Sequence, residues 1–198
     1  ALLASAAVIL DAGRGDLRAQ LPPRPPGPAT EIAATTRRPL VLAARDLLPA
    51  PPPVPVPVPD LVHRNGYGGF SLDGTEYVTV LEPGESTPAP WTNVVANEQF
   101  GFLATAEGAG FTWWRNSRDN QLTPWRNDPV TATVSEAVYV RDDLTGVVAT
   151  PTASPIGAGR HLSAHGFGYT RYEHQTGALR LELVHQVAGE EAVKVSRL

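Results

Sequence analysis

Cysteine and methionine are both absent from the 198 residues, and charged side chains make up only 18% of them. The lack of cysteine excludes a disulfide framework and a thiolate metal site, and it fits a reducing compartment. A formal net charge of −4 without a basic stripe argues against nucleic acid as a partner. We therefore expect neither nucleic acid nor a bound metal.

Long apolar runs are missing as well. The opening ALLASAAVIL is shorter than the roughly 20 apolar residues that span a bilayer. It also lacks the basic start of a signal peptide and is typical of the end of a buried helix. These features predict no membrane contact by this segment, and with the missing cysteine they favour the cytoplasm.

Proline, in contrast, is abundant and concentrated. Most of the 20 prolines lie in LPPRPPGP and PAPPPVPVPVP, between residues 21 and 59, where they exclude helices and central strands. We interpret residues 1–20 as the end of an upstream domain or a tail, and residues 21–63 as a linker with a short helix around LVLAARDLL. Residues 21–59 should be extended and contribute little to the core, and residues 49–59 should form a polyproline II spacer, with an SH3-like ligand as the alternative.

Strand patterns separated by turns dominate from Tyr77 onward and predict an all-β domain over residues 64–198. In LRLELVHQV, alternate residues from Leu179 to Val187 share one face, as a half-buried antiparallel strand requires. DDLTG indicates a hairpin turn with Gly146 at positive φ. In the closing AVKVSRL, apolar and polar residues alternate as in a strand that continues beyond the last residue, so we interpret the domain as truncated. The predicted fold is an antiparallel β-sandwich preceded by an extended proline-rich linker.

The stretch NSRDNQLTPWRNDPV, residues 116–130, is too polar for a core. Its side chains are of the types that bind sugars. Amides donate and accept, guanidinium groups donate in a fork, and an indole offers a flat apolar face. An ordinary solvated loop between strands is the alternative. The candidate substrate-binding residues are Arg118, Asn120, Gln121, Trp125, Asn127 and Asp128.

The remaining aromatic residues are better explained as core. Four of them lie in apolar strand patterns and should be buried: Trp91, Phe100, Phe102 and Tyr139. Trp113 and Trp114 are adjacent, so on a strand one must face inward and the other outward.

Other catalytic and metal chemistry has little support in these residues. His161 and His165 have a helical ligand spacing, but the glycines after them favour a strand, where about 13 Å would separate the two side chains. Asp142 and Asp143 are turn formers, and the other carboxylates near them are Asp119, Asp128 and Glu136. We assign no catalytic residue, no metal ligand and no cofactor.

A family resemblance adds to this interpretation. The blocks that carry it are NGYGGFSLDGTEYV, PAPWTNVVANEQFGF, GFTWWRNSRDNQLTPWRNDPV, EAVYVRDDLTG and HGFGYTRYEH. In this order they resemble the N-terminal β-sandwich of the family 94 glycoside phosphorylases, and most of all its version in cyclic β-1,2-glucan synthases. The resemblance covers residues 65–198 and leaves residues 1–63 unmatched.

The resemblance implies a non-catalytic sandwich that packs on a downstream (α/α)6 barrel, lines the cleft for a β-glucan oligosaccharide and supports a homodimer. It also implies that inorganic phosphate is the nucleophile and co-substrate of the parent enzyme, and that the general acid lies in the barrel. A location on the cytoplasmic side of a membrane-anchored parent is a further implication of the resemblance. Two alternatives stay open: a stand-alone carbohydrate-binding or interaction module, and a fragment of a free-standing disaccharide phosphorylase. The proline linker disfavours the latter.

Overall fold

The computed structural model describes residues 48–52, 54–177 and 179–198. Residues 1–47 lie outside the described residues, and with them the interpretation of residues 1–20, the first proline tract and most of the short helix expected around LVLAARDLL. The strands are β1 (Leu61–Val62), β2 (Gly68–Ser71), β3 (Glu76–Leu81), β4 (Thr92–Ala96), β5 (Phe100–Thr105), β6 (Gly110–Trp114), β7 (Val140–Arg141), β8 (Val148–Ala149), β9 (His161–Gly166), β10 (Tyr169–Thr176), β11 (Leu179–Val187) and β12 (Lys194–Arg197).

Antiparallel pairing joins these strands into three sheets. The largest has seven strands in the order β1-β2-β3-β9-β10-β11-β12, the second has the order β4-β5-β6, and β7 pairs with β8 alone. The chain between β3 and β9 includes β4, β5 and β6, and the three-stranded sheet that they form packs against the large sheet. The predicted all-β antiparallel sandwich is thereby confirmed.

The core lies between the three-stranded sheet and strands β10 and β11. It consists of side chains from both layers: Val95, Phe102, Ala104, Tyr172 and Leu183. Burying a side chain of this size stabilises the fold by about 1.5–3 kcal/mol. The burial pattern of β11 alternates as expected, with Leu181 and Leu183 buried and Arg180 and Glu182 exposed.

Polar side chains also fasten the two layers. The Asn93 side-chain amide donates to the Gly166 and Tyr169 carbonyl oxygens, at 3.1 and 2.8 Å. The buried Tyr172 hydroxyl donates to the Thr105 carbonyl at 2.7 Å. Because these acceptors lie on the opposite layer, they fix how the three-stranded sheet sits on the large one and hence where the loop after β6 emerges.

The core prediction for the aromatic residues holds for two of the four and fails for one. Phe100 and Phe102 are buried. Trp91 is half-buried and packs edge-on against Tyr77, with ring centroids 6.0 Å apart. Tyr139 is 59% exposed, so its assignment to the core was wrong. The expected strand AVYVRD shrinks to the two residues of β7, and without neighbouring strands to cover it, the phenol faces solvent.

The turn prediction for DDLTG is confirmed. The Asp142 amide donates to the Val147 carbonyl at 2.8 Å, and Gly146 has φ +74°. The predicted outer and inner faces at the tryptophan pair also agree with the structure: Trp114 is 39% exposed, whereas Trp113 is half-buried.

The expectation that the proline-rich segment contributes little to the core was wrong at one residue. Residues 48–52 and 54–60 form neither helix nor strand, as expected. Val56 nevertheless has no exposed surface at all. In a proline-valine alternation every second residue carries an apolar valine side chain that can pack, and the side chain of Val56 packs into the fold.

Candidate functional site

The candidate sugar-binding loop begins directly after β6 and is held in a compact turn. The Asn116 side-chain oxygen accepts hydrogen bonds from the Arg118 and Asp119 backbone amides, at 2.8 and 2.9 Å. The chain then returns along β6, where Leu122 donates to the Thr112 carbonyl at 2.8 Å. Asparagine at the first position of such a turn satisfies backbone donors that would otherwise face water. The loop is therefore preorganised.

Backbone strain accompanies the turn at both of its ends. Arg115 has φ +61° and Asn127 has φ +50°, a left-handed conformation that costs a residue with a side chain about 1–3 kcal/mol. The Arg115 guanidinium lies over the Trp114 indole, 4.4 Å from the ring centroid. An exposed cation on an aromatic face of this kind contributes about 0.5–1 kcal/mol. Trp114 and Arg115 were not among the candidate residues predicted from the sequence. The adjacent tryptophan pair, one of which must face outward, was the signal that could have identified them.

Trp125 is partly exposed and has one face covered. Its indole stacks on the Phe111 ring, with centroids 5.3 Å apart and planes inclined by 25°. Its ring nitrogen donates to the Asn127 side-chain oxygen at 3.4 Å. The stack orients the indole, and the remaining surface is available to a ligand. The structure thus brings two of the six candidate residues, Trp125 and Asn127, into contact with each other.

The other candidate residues are exposed but have different local roles. Arg118 forms no salt bridge with any residue in the described part of the chain. Asn120 accepts from the Trp114 amide with its carbonyl, which leaves its side chain toward solvent. The Gln121 side-chain amide donates to the Ser117 carbonyl at 3.2 Å.

Asp128 serves its own backbone turn. One carboxylate oxygen accepts from the Val130 and Thr131 amides, at 2.8 and 2.9 Å. The hydrogen bonds from Thr131 and Val130 lower the pKa of Asp128 below its usual range. A carboxyl that stays ionised is unsuited to act as a general acid, so Asp128 is a turn former that leaves one oxygen for a ligand.

Glu136 anchors the far end of the loop, a role that sequence reasoning did not predict. One of its oxygens accepts from the Thr112 and Thr123 hydroxyls, at 2.7 and 2.6 Å, and the other accepts from Lys194 at 2.5 Å. Partial burial acts to raise the pKa of Glu136, but the hydrogen bonds from Lys194 and the two threonines lower it overall. A carboxylate that is fully engaged in this way holds the loop rather than transferring protons.

The carboxylates on the β7–β8 hairpin are also structural. Asp142 accepts from the Thr145 hydroxyl at 2.7 Å and from the Leu144 amide at 2.9 Å, and these bonds lower its pKa. Asp143 lies 3.5 Å from the exposed Arg141 guanidinium. These contacts give both aspartates a structural role in the hairpin, with no role at a substrate required.

His161 and His165 lie on β9 and are tied to local acceptors. Each uses Nδ1, with Gly159 O at 3.1 Å and Thr170 Oγ1 at 3.2 Å. Burial lowers the pKa of both side chains to about 4. Over residues 48–52, 54–177 and 179–198 no group of three or more His, Cys, Asp or Glu side chains is arranged to hold a metal ion. Within those same ranges no helix is long and apolar enough to cross a bilayer.

A cavity of about 450 Å³ lies between the two layers beside the loop anchor. Its lining includes Glu136, His185, Lys194 and Ser196, together with the hydroxyl-bearing residues Ser135, Thr152 and Tyr172. These groups are already paired: His185 Nδ1 lies 2.8 Å from the Ser196 hydroxyl, and Glu136 binds Lys194. The cavity therefore offers no free acid and base to a substrate.

Comparison with known proteins agrees with this architecture. Residues 75–198 match the family described as glycosyl hydrolase 94, supersandwich domain. The cyclic beta-(1,2)-glucan synthase NdvB of Rhizobium meliloti (strain 1021) is 49% identical over 144 residues, which are 70% of this chain and 5% of that protein. The N,N'-diacetylchitobiose phosphorylase of Vibrio proteolyticus is 28% identical over 111 residues, 54% of this chain and 14% of the enzyme.

A further diacetylchitobiose phosphorylase, from Vibrio furnissii, is 29% identical over 110 residues, 54% of this chain and 13% of the enzyme. The chain thus spans only a small part of each of these relatives. With the family match covering more than half of its residues, this chain belongs to the glycosyl hydrolase 94 family, of which it carries the supersandwich domain.

Proposed function

We propose that this chain is the non-catalytic sandwich of a carbohydrate-active enzyme that acts on β-1,2-glucan. In this proposal the sandwich supports an (α/α)6 barrel in the same parent protein, and residues 116–128 form one wall of the glucan cleft. The family match and the 49% identity to a protein named as a glucan synthase support the substrate class.

One observation carries the proposal: the loop is held by local hydrogen bonds, polar and exposed, and it presents an oriented indole. Sugars are bound by flat apolar surfaces that contact their C–H faces and by donors and acceptors that meet their hydroxyls. Trp125 supplies the first kind of surface, because Phe111 fixes its orientation. Arg118, Asn120 and Gln121 supply exposed polar groups of the second kind.

Catalysis is assigned to the barrel. The carboxylates Glu136, Asp128 and Asp142 are engaged in local hydrogen bonds that keep their pKa values low, which is the wrong direction for a general acid. In the proposed parent enzyme, inorganic phosphate attacks the glycosidic carbon and a barrel carboxyl protonates the leaving oxygen. The sandwich also supports a homodimer in this proposal, and the parent acts in the cytoplasm.

Kinetics of the full-length parent test the role of the loop. Arg118→Ala and Asn120→Ala each remove an exposed polar group without disturbing the Asn116 turn, so kcat/KM for β-1,2-glucan should fall about tenfold or more. Arg141→Ala is the matched control, since Arg141 is also exposed but lies on the β7–β8 hairpin. If both loop variants keep the rate of the Arg141→Ala control, the loop does not line the cleft.

Glucan binding by the isolated chain separates the proposal from a stand-alone binding module. A loop that forms one wall of a cleft should bind β-1,2-glucan only weakly on its own, with a Kd in the millimolar range, about 4 kcal/mol of binding free energy. Calorimetry that returned a micromolar Kd, abolished by Trp125→Ala, would favour the binding module instead.

A further inference from the structure

The proline-rich segment ahead of β1 runs along the large sheet instead of leaving it. Three valines alternate with prolines here, and their exposure differs sharply: Val54 is 48% exposed, Val58 is half-buried and Val56 is completely buried. A spacer in solvent would leave all three valines exposed. One face of this segment is therefore packed against the sandwich.

Two contacts attach the beginning of the segment. The Leu48 amide donates to the Leu144 carbonyl on the β7–β8 hairpin at 2.8 Å. Pro51 covers the turn between β10 and β11, where a Cβ at Gly177 would lie 2.7 Å from the Pro51 ring. Gly177 also has φ +48°. Glycine at this turn thus permits both the backbone conformation and the close approach of the proline.

Arg160 holds the middle of the segment. Its Nη1 donates to the Val56 carbonyl at 3.2 Å, while its Nε donates to Glu82 at 2.7 Å. Its own carbonyl lies 3.0 Å from Nδ1 of His174, so the backbone of Arg160 is fixed as well. A planar guanidinium presents its donors in a rigid fork, so Arg160 can hold both acceptors in one fixed geometry. Arg160 therefore links the proline segment to the end of β3.

The sheet beneath the segment has an apolar floor with a charged margin. A cleft of about 290 Å³ separates Pro57–Pro59 from the floor residues Val78, Leu162 and Ala164, which are all buried. The charged side chains at the margin pair with one another and leave no charge for an incoming ligand: Glu76 with Arg171, Arg171 with Glu173, and Glu173 with Arg180.

We propose that this outer face of the sheet is a groove for a polyproline II peptide and that residues 54–59 of the same chain are its occupant. Proline has no backbone donor, so such a peptide leaves few polar groups unpaired when it covers an apolar floor. Its conformation is largely fixed before docking, which lowers the entropy lost on binding. The segment then acts as a strap, latched by Arg160, that closes the outer face.

Thiol accessibility tests the strap in the full chain. Because the chain has no cysteine, Val54→Cys and Val56→Cys each introduce a single thiol into a nearly isosteric site. We expect a soluble thiol reagent to label Val56→Cys about a hundredfold more slowly than Val54→Cys, since labelling requires local opening. Equal labelling rates at the two positions would overturn the proposal.

Substitution of the latch distinguishes local release from global unfolding. Arg160→Ala should accelerate labelling of Val56→Cys about tenfold and leave Val54→Cys unchanged, because it removes a charge-assisted hydrogen bond to the strap. Arg197→Ala, an exposed arginine on β12, is the control and should change neither rate. Val95→Cys in the core reports global opening. If Arg160→Ala has no effect at position 56, or accelerates positions 56 and 95 equally, the latch does not exist.

Discussion

Trp125 stacks on Phe111 of β6, fourteen positions earlier in the chain, with the two ring centroids 5.3 Å apart. Phe111 is itself buried, at 6% exposure. The core thus extends outward through one aromatic pair and ends in a partly exposed indole. This pair connects the packing of the sandwich to the surface that we assign to the glucan.

The first prediction concerns that indole. In the full-length parent, Trp125→Ala should lower kcat/KM for β-1,2-glucan by about 1–3 kcal/mol in transition-state free energy, because a stacking surface is lost. Trp125→Phe keeps an aromatic ring on Phe111 and should retain most of the activity. An unchanged rate together with a large fall in Tm would make Trp125 a core residue instead.

A second prediction is that the isolated chain has no phosphorylase activity. Catalysis needs an acid, a phosphate site and a closed cleft in one geometry, and the loop supplies only one wall. Incubation with linear β-1,2-glucan and phosphate should yield no glucose 1-phosphate. Phosphorolysis that disappears in Asp119→Asn or Asp128→Asn would place a catalytic carboxylate within this chain.

The loop anchor yields a third prediction. Glu136→Ala leaves Lys194 and two threonine hydroxyls without their shared acceptor, so the free energy of unfolding should fall by about 2–4 kcal/mol. Glu182→Ala, which breaks an exposed 3.4 Å pair with Arg197, should cost less than about 1 kcal/mol. Urea denaturation measures both. Equal losses in the two variants would contradict the anchoring role.

Acid should destabilise the sandwich. Burial lowers the pKa of His161, His165 and His185 to about 4, whereas an unfolded histidine titrates near 6.5. Between these values the unfolded chain binds more protons, so stability is full above about pH 6.5 and falls as the pH drops to 4. Each histidine contributes a slope of up to about 1.4 kcal/mol per pH unit.

Unfolding measured from pH 8 to 4 tests this expectation. His161→Gln should make the pH profile shallower, since His161 is 3% exposed and stacks on His174 at 3.9 Å. His63→Gln, on an exposed residue, is the control and should keep the original profile. Identical profiles in the two variants would show that His161 does not contribute to acid sensitivity.

Gly110 provides a fifth prediction, on close backbone packing. A Cβ at this first residue of β6 would lie 2.0 Å from the Leu103 carbonyl oxygen, and a backbone atom cannot move aside as a flexible side chain can. Gly110→Ala should therefore destabilise the protein by about 3 kcal/mol or more. At Gly189 a Cβ would meet no atom within 4 Å, so Gly189→Ala should be nearly neutral in thermal unfolding. A neutral Gly110→Ala would show that β5 and β6 are not so closely paired.

Local patterns were sufficient to predict the fold class and several strands. β11 has a clear two-residue period, and its burial follows that period. β5 was harder to predict, because FGFLAT contains buried residues on both faces and has no alternation. β9 is similar, with four buried residues in succession. Strands covered on both faces lose the periodic signal on which such predictions depend.

Tertiary contacts were beyond the reach of the sequence. Whether Tyr139 is buried depends on which strands lie beside β7, and none covers it. The burial of Val56 depends on Arg160, which is more than one hundred residues away in the chain. In the candidate site, the sequence indicated Trp125 and the polar residues around it. The Phe111 stack and the Glu136 anchor needed the structure.

The match to the family begins at residue 75, within the turn that joins β2 to β3. A fragment cut at that point would keep β3 but discard β1 and β2, the partners on one of its sides. The strand would then present a row of open amides and carbonyls, and such an edge recruits other chains into aggregates. Anyone who excises this domain for expression should therefore begin upstream of Leu48, so that the sheet keeps its border strands and its outer face keeps the strap.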